Sequence, residues 1–428
     1  MTKLPEEFIK RMKKELPESE WGAFFAVYEK PPYTGARVNT LKARLVGTPF
    51  AGLPRVAWEE NGFYTEEKIG SHPYHFAGVL YSQEPSAMCS APLLEVKAGE
   101  RVLDLCSAPG GKGTRLAADL QGDGLIVLNE PILSRAKILS QNVERMGIEN
   151  AVVTCAYPDA LAEILPEYFD KIMVDAPCSG EGMFRKNADA ALSEWSEENV
   201  ALCAKRQAEI LSNAVKMLKK GGKLAYSTCT FAPEEDERQV ESFLRSHTEM
   251  RLLQQEKLLP HKIAGEGHFV ALFEKTSGAE SELKRAKRPI SRATEKLYRE
   301  FETAFFTSYR AENLCETGGV LYAFPADMPD LGKTHILRAG VRLGEVANGR
   351  FEPSHALVMA RKKEDFRNVV DLDLSDGRVE KYLRGETIES DGANGWCAVL
   401  VDGYPLGLGK RVNGTVKNHL PKGLRKHS

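Results

Sequence analysis

From Gly99 to Lys275 the chain repeats one unit: a short apolar run, a turn, then a longer stretch with apolar residues at helical spacing. The runs are Arg101–Cys106 (RVLDLC), Leu125–Asn129 (LIVLN), Ala151–Cys155 (AVVTC), Lys171–Asp175 (KIMVD) and Lys223–Ser227 (KLAYS). Ser134–Met146 and Asn199–Lys220 are the clearest helical segments between them. Strands apolar on both faces must be covered on both faces, and strands joined through helices run parallel. The pattern therefore predicts a doubly wound α/β core of Rossmann type. A later run, His268–Phe273, follows a helix predicted to begin near Pro233 and is expected as a reversed edge strand; these six runs fit within the seven-stranded mixed sheet, with a final reversed strand, of a methyltransferase-type Rossmann fold.

With 428 residues the chain exceeds one compact unit, and two to four are expected. Met1–Val96 is a mixed region, Thr276–Glu282 a polar linker followed by a helical stretch to about Tyr309, and the segment from Asp371 a run of short strands broken by Gly and Pro, as in a small barrel. The division drawn is 1–97, 98–276, 277–368 and 369–428. No apolar run approaches the ~18 residues of a membrane span, and the charged Met1–Leu16 does not read as a secretory signal. The eight cysteines form no C-x-x-C pair and no metal-ligand spacing, so no metal is expected and most read as buried, reduced thiols of a cytoplasmic protein. A monomer is expected.

Net charge is only −2, but basic residues cluster. Lys284, Arg285, Lys287, Arg288, Arg292, Lys296 and Arg299 lie together, as do Lys410, Arg411, Lys417, Lys422, Arg425 and Lys426. Such patches contact phosphates or are ordinary solvated surface.

The first strand runs into Asp104-Leu105-Cys106-Ser107-Ala108-Pro109-Gly110-Gly111-Lys112 and then a helix. A Gly-rich turn at a helix N-terminus is where a nucleotide-like ligand meets backbone. The turn is neither a Walker sequence nor G-x-G-x-x-G, which disfavours ATP and NAD. Glu130, ending the second strand, stands where a carboxylate receives ribose hydroxyls, and Asp159, after the third, where one meets an adenine amino group. Together these strand ends predict an adenosine-type cofactor.

The fourth strand ends Asp175-Ala176-Pro177-Cys178-Ser179-Gly180 and the fifth Ser227-Thr228-Cys229-Thr230. Both deliver a cysteine to the same crevice. Asp/Asn-Pro-Pro-aromatic, expected for methylation of exocyclic nitrogen, is absent. A thiolate suits carbon 5 of cytosine, which is a poor nucleophile until sulfur adds to carbon 6 and makes the ring an enamine. Asp175 would hold a proton near ring nitrogen 3. A helix from Pro233 behind Cys229 would favour its thiolate through the dipole, against the acidic Glu234, Glu235 and Asp236.

D-L-C-S-A-P-G-G-K, N-E, D-A-P-C-S-G and Y-S-T-C-T, in this order, resemble the Nop/Sun family of RNA cytosine-5 methyltransferases. Arg37-Val38-Asn39-Thr40 resembles its R-x-N element, and Gln83-Glu84-Pro85-Ser86 its Q-E/D-x-S element. The resemblance implies a methyltransferase-type sheet, S-adenosylmethionine as cofactor, attack by Cys229 and product release aided by Cys178. It implies that Cys106, Ser107, Ala108, Pro109, Gly110, Gly111 and Lys112 hold the cofactor with Glu130, Asp159 and Asp175, and with Arg135 one turn into the next helix. The C-terminal extension resembles the bacterial RsmF-like branch, which adds PUA-like domains. That implies structured RNA as partner, specifically small-subunit (16S) ribosomal RNA near the decoding region. Gly113 departs from the family's Thr or Ser, and the expected consequence is a lost capping hydroxyl.

Two other readings stay open: a transfer RNA methyltransferase, and a non-catalytic RNA-binding scaffold. A DNA cytosine-5 enzyme, where the P-C cysteine attacks, is disfavoured by the second cysteine and the basic extension. Reaching a paired cytosine requires flipping it. Tyr81, Phe184 and Trp195 are expected in the core rather than as stacking platforms.

Overall fold

The computed structural model describes residues 4–426, so the outermost positions of the first and last segments drawn above, 1–3 and 427–428, lie outside the described residues. The repeated unit forms one mixed sheet. Its strands are β1 (Arg101–Asp104), β2 (Leu125–Asn129), β3 (Ala151–Cys155), β4 (Phe169–Asp175), β5 (Leu218–Thr228), β6 (Met250–Leu258), β7 (His268–Lys275) and β8 (His335–Ala339), in the order β8-β3-β2-β1-β4-β5-β7-β6. β1 to β5 are mutually parallel, and β7 lies antiparallel between β5 and β6. The chain leaves β1 toward β2 and returns beyond it to β4, so the crevice at their C-terminal ends opens at a topological switch point.

Two expectations are corrected here. The sheet has eight strands rather than seven, and His268–Phe273 is internal rather than an edge. β7 is apolar on both faces and buried almost throughout, which suits an interior strand. β6 (MRLLQQEKL) is largely solvent-facing and takes the edge, where polar side chains discourage further pairing. At the far edge β8, from well downstream, pairs antiparallel with β3 and covers a strand that is apolar except for Thr154.

Helices Leu133–Met146 and Glu197–Met217 occupy the predicted segments. The helix placed near Pro233 begins only at Glu237. Residues 233–236 form a turn because Glu235 and Asp236 are drawn inward. Asp236 accepts from Thr228 Oγ1 at 2.7 Å and pairs with Lys257 at 3.0 Å, while Glu235 is tied to Ser179 and Gln207. The dipole expected to aid Cys229 is therefore displaced by four residues.

Helices Glu6–Glu15 and Glu18–Ala26, with the 3-10 turn Val27–Glu29, pack Phe8, Phe24 and Tyr28 against Phe184 and Phe231, just beyond the two cysteine motifs. Tyr81 and Phe184 are core residues as expected, and Trp195 joins this cluster while donating from Nε1 to Glu181 at 2.8 Å. A small sheet of Gly35–Val38, Gly62–Tyr64 and Leu80–Ser82 shares its core with the last segment, and Tyr74 donates to Asp402 across that junction at 2.7 Å.

The C-terminal region is β-rich: a four-stranded sheet over Leu314–Thr317 to Arg350–Pro353, then five strands from Val369 to Asn418 with one helix, Gly377–Leu383. The basic patches are thinner than the sequence suggests. Arg411 is 1% exposed and bonds Asn368, Ser390 and two carbonyls inside the last sheet. Arg288 is spent on Asn313 and two carbonyls, and Arg299 on Glu302. These three arginines hold protein, not phosphate.

Candidate active site

The turn after β1 is shaped from below. Gly110 caps the helix Gly111–Asp119 with φ +111°, a left-handed conformation that favours glycine. Gly113 packs its α-carbon onto the sheet: a Cβ there would stand 2.5 Å from Leu128 Cδ2 and Ser107 Oγ, and 2.8 Å from Asp104 Oδ2. Gly113 is thus the third residue of the helix, pressed against the core, and not a capping position lacking its hydroxyl. Arg37, fully buried, donates to the Gly111 carbonyl at 2.8 Å, to Thr114 Oγ1 at 2.5 Å and to Gln83 Oε1 at 3.1 Å, with its guanidinium over Tyr81. The R-x-N and Q-E-P-S elements therefore brace the turn.

The strand ends surround a cavity of about 940 Å³. Of the residues singled out from sequence, Cys106, Ala108, Lys112, Glu130, Arg135, Asp159, Asp175, Cys178 and Cys229 line it. Ser107, Pro109, Gly110 and Gly111 do not; they support the turn from behind. The Ser107 amide donates to Asn129 O, and the carbonyls of Pro109, Gly110 and Gly111 accept from Asn142, Thr114 and Arg37.

At one end Glu130, 2% exposed, accepts from the Ile132 amide at 3.1 Å through one oxygen, and its other oxygen lies 3.4 Å from Arg135. Arg135 also donates to Ala108 O at 3.0 Å. Asp159, exposed, opens the helix after β3, beside Tyr157 and Pro158.

At the other end Cys178 and Cys229 bring their sulfurs within 3.3 Å. The contact with Cys229, then burial, push the Cys178 thiol well above its ordinary value, so the pair carries at most one negative charge. One network ties both cysteine turns. Glu235 accepts from the Ser179 amide at 3.0 Å and from Gln207 at 2.8 Å, Gln207 donates to Pro177 O at 2.9 Å, and Ser179 Oγ meets Thr230 Oγ1 at 2.8 Å.

Beside the sulfurs, Lys112 and Asp175 form an ion pair at 2.7 Å. Burial opposes ionisation of Asp175, but the Lys112 ammonium overcomes it, with help from the Ser227 hydroxyl, and holds the carboxyl below its usual range. Burial likewise opposes the charge on Lys112, and Asp175 outweighs it. Lys112 thus sits at the sulfur end, within electrostatic reach of Cys229, rather than among the groups at the Glu130 end.

Four family models cover the chain in series. Residues 91–279 match the 16S rRNA methyltransferase RsmB/F family, and 4–85 the N-terminal domain of 16S rRNA methyltransferase RsmF. Residues 300–360 match the RsmF first C-terminal domain, and 369–426 the methyltransferase RsmF PUA domain. Ribosomal RNA small subunit methyltransferase F of Vibrio vulnificus (strain YJ016) is 32% identical, across 98% of this chain and 97% of its own length. The chain belongs to the RsmB/F family. The protein of the same description from Escherichia coli O157:H7 is 31% identical over 98% of this chain and 96% of its own length. Among solved structures, a methyltransferase homologue from Pyrococcus horikoshii superposes with TM-score 0.55 at 26% identity, covering 64% of this chain and all of the other. NSun6 from Pyrococcus horikoshii with SFG gives TM-score 0.57 at 21% identity over 64% of this chain and 99% of its own, which supports the fold.

Membership accounts for the motif order and for the flanking segments alike. The site also holds residues that the sequence reading passed over. Glu235 and Gln207 were hidden because their partners lie 56 and 28 to 30 positions away. His268 had one faint signal, a histidine opening an otherwise apolar strand. No helix among the described residues is long and apolar enough to cross a membrane, and none of their His, Cys, Asp and Glu side chains group as a metal site.

Proposed function

We propose that this member of the RsmB/F family methylates carbon 5 of cytosine in small-subunit (16S) ribosomal RNA, with S-adenosylmethionine as methyl donor. The observation that carries the reading is the pair of sulfurs 3.3 Å apart, beside the Lys112–Asp175 pair, in a cavity of nucleoside dimensions. The donor set fits the cofactor. A buried carboxylate, Glu130, has one oxygen free of backbone partners for ribose hydroxyls, and Asp159 can accept from an adenine amino group beside Ile132 and Tyr157. When bound, the cofactor supplies an electrophilic methyl group on sulfonium.

The chain's own residues perform the rest. Cys229 as thiolate adds to carbon 6 of a flipped cytosine, with Lys112 lowering the cost of the charge. As the adduct forms, ring nitrogen 3 takes up a proton from water, and the ionised Asp175 accepts the resulting N–H. Once the Cys229 sulfur is bonded to carbon 6 its charge no longer opposes a Cys178 thiolate, which takes the carbon 5 proton; the Cys229 sulfur then leaves with its electron pair, nitrogen 3 returns its proton to water and aromaticity returns. Glu235 and Gln207 keep the two turns in register throughout. The division into 1–97, 98–276, 277–368 and 369–428 is proposed to separate an RNA-gripping extension, the catalytic unit and two RNA-binding modules, acting in the cytoplasm.

The test is methyl transfer to 16S ribosomal RNA or the small subunit, followed by nucleoside analysis. Label in 5-methylcytidine is expected. Label in any other nucleoside, or in transfer RNA alone, would overturn the reading.

A further inference from the structure

His268 opens β7 at the sulfur end of the cavity, and its imidazole is aimed into that space with only 1% of the residue exposed. Neither ring nitrogen has a hydrogen-bond partner among the described residues. Its Nε2 is 4.0 Å from Asp175 Oδ1, too far for a hydrogen bond. Burial, reinforced by the Lys112 ammonium, brings its pKa down to about 3, so the ring is neutral and makes no ion pair with Asp175. It is a weak proton acceptor for general-base work but an intact hydrogen-bonding group. A buried imidazole with both nitrogens unmet is costly unless something arrives to meet it.

The backbone that carries it is fixed in advance. Glu84 accepts from the Glu266 amide at 2.9 Å and Ser86 Oγ from the Gly267 amide at 3.1 Å, so the Q-E-P-S segment holds the turn into His268. Across the site three groups stand in sequence. Lys112 pairs with Asp175 Oδ2, and His268 faces Asp175 Oδ1. The pairing edge of cytosine, protonated at nitrogen 3 in the adduct, offers a matching sequence: the 2-oxo acceptor, the nitrogen 3 N–H donor, and the 4-amino donor. With the Lys112 ammonium on the oxygen and Asp175 on nitrogen 3, the amino group falls to His268.

We propose that His268 reads the target base, accepting the 4-amino N–H of cytosine on its bare ring nitrogen while Asp175 engages nitrogen 3. This rests on the cytosine-5 reading above and goes beyond it by assigning the group that distinguishes cytosine from uracil, whose 4-oxo would meet the same lone pair.

The test is a functional-group cycle on single-turnover methyl transfer to RNA. Small-subunit RNA carries either cytidine or 2-pyrimidinone riboside, which lacks the amino group, at the position that wild type methylates. Wild type, His268→Phe and His268→Gln are compared. Deleting the amino group is expected to cost wild type about tenfold more in rate per unit RNA concentration than it costs His268→Phe, the size of one hydrogen bond. His268→Gln, which keeps an acceptor, should recover most of that coupling. Equal costs in wild type and both variants would overturn the assignment. S-adenosylmethionine affinity in each variant, expected unchanged, reports folding, and His268→Gln carries the cycle if the Phe variant loses it. Wild-type conversion of cytidine to 5-methylcytidine without coupling refutes only the role of His268. No 5-methylcytidine from wild type refutes the parent reading.

Discussion

Replacing Gly113 with alanine sets two known effects against each other. Inside a helix, glycine to alanine ordinarily stabilises by ~1 kcal/mol through backbone entropy and propensity. Here the added Cβ would stand 2.5 Å from Leu128 Cδ2 and Ser107 Oγ and 2.8 Å from Asp104 Oδ2. None of the three can yield to solvent: they belong to residues 0%, 4% and 0% exposed. Overpacking a filled core costs ~1–3 kcal/mol, and here the displaced group is a buried carboxyl already pushed up to about 7 by desolvation. With the displaced buried carboxyl placing the cost in the upper part of that range, ~2–3 kcal/mol, the clash should win by ~1–2 kcal/mol after the ~1 kcal/mol gain is subtracted. That corresponds to about 2–8 °C in the melting temperature of a unit this size. Because the helix can relieve the contact only by moving away from β1 and β2, cofactor affinity should fall several-fold as well. The assay is thermal unfolding together with S-adenosylmethionine titration, with Gly22→Ala as control. Gly22 lies in the helix Glu18–Ala26 with no atom within 4 Å of its would-be Cβ, so the same chemical change should be neutral or stabilising there. Gly113→Ala as stable as wild type, with unchanged affinity, would refute the packing argument.

Three further outcomes follow from the same geometry. Glu130→Gln should weaken S-adenosylmethionine binding by roughly tenfold or more, as the loss of charge-assisted bonds to ribose hydroxyls implies, read by calorimetric titration. Arg37→Ala strands three buried acceptors and should cost roughly 3 kcal/mol in urea unfolding, and Arg37→Lys should recover under half because an ammonium cannot span all three. Burial raises Glu235 from 4.5 to about 7 in the folded chain, so the folded state binds the extra proton between those values. Its contribution to stability is present below about pH 4.5 and lost as pH rises toward 7, and Glu235→Gln should flatten that part of the stability profile relative to wild type.

What the sequence disclosed follows physical lines. β2 and β3 were legible residue for residue because strands buried on both faces carry near-continuous apolar runs, broken here only by Asn129 and Thr154, and end abruptly at turns. Met250–Leu258 was overlooked because an edge strand carries Gln, Glu and Lys and shows no such run. His335–Ala339 could not be assigned to this sheet at all, since its pairing with β3 spans some 180 positions and leaves no local trace. Both cysteines could be sent to one crevice from strand topology, but their contact and the Glu235–Gln207 tie depend on how two loops meet. Arg411 reads as surface charge in a basic tail, and only the packing of Asn368 and Ser390 around it reveals a structural role.

The central claim is that Cys229 attacks the base and Cys178 releases it. The direct measurement is denaturing gel electrophoresis of wild type, Cys178→Ala and Cys229→Ala after incubation with S-adenosylmethionine and 16S ribosomal RNA. A slow-migrating RNA–protein adduct is expected in Cys178→Ala alone, with methyl incorporation in wild type and neither in Cys229→Ala. An adduct in Cys229→Ala instead would reverse the roles, and no adduct in any variant together with no methyl transfer by wild type would contradict the account.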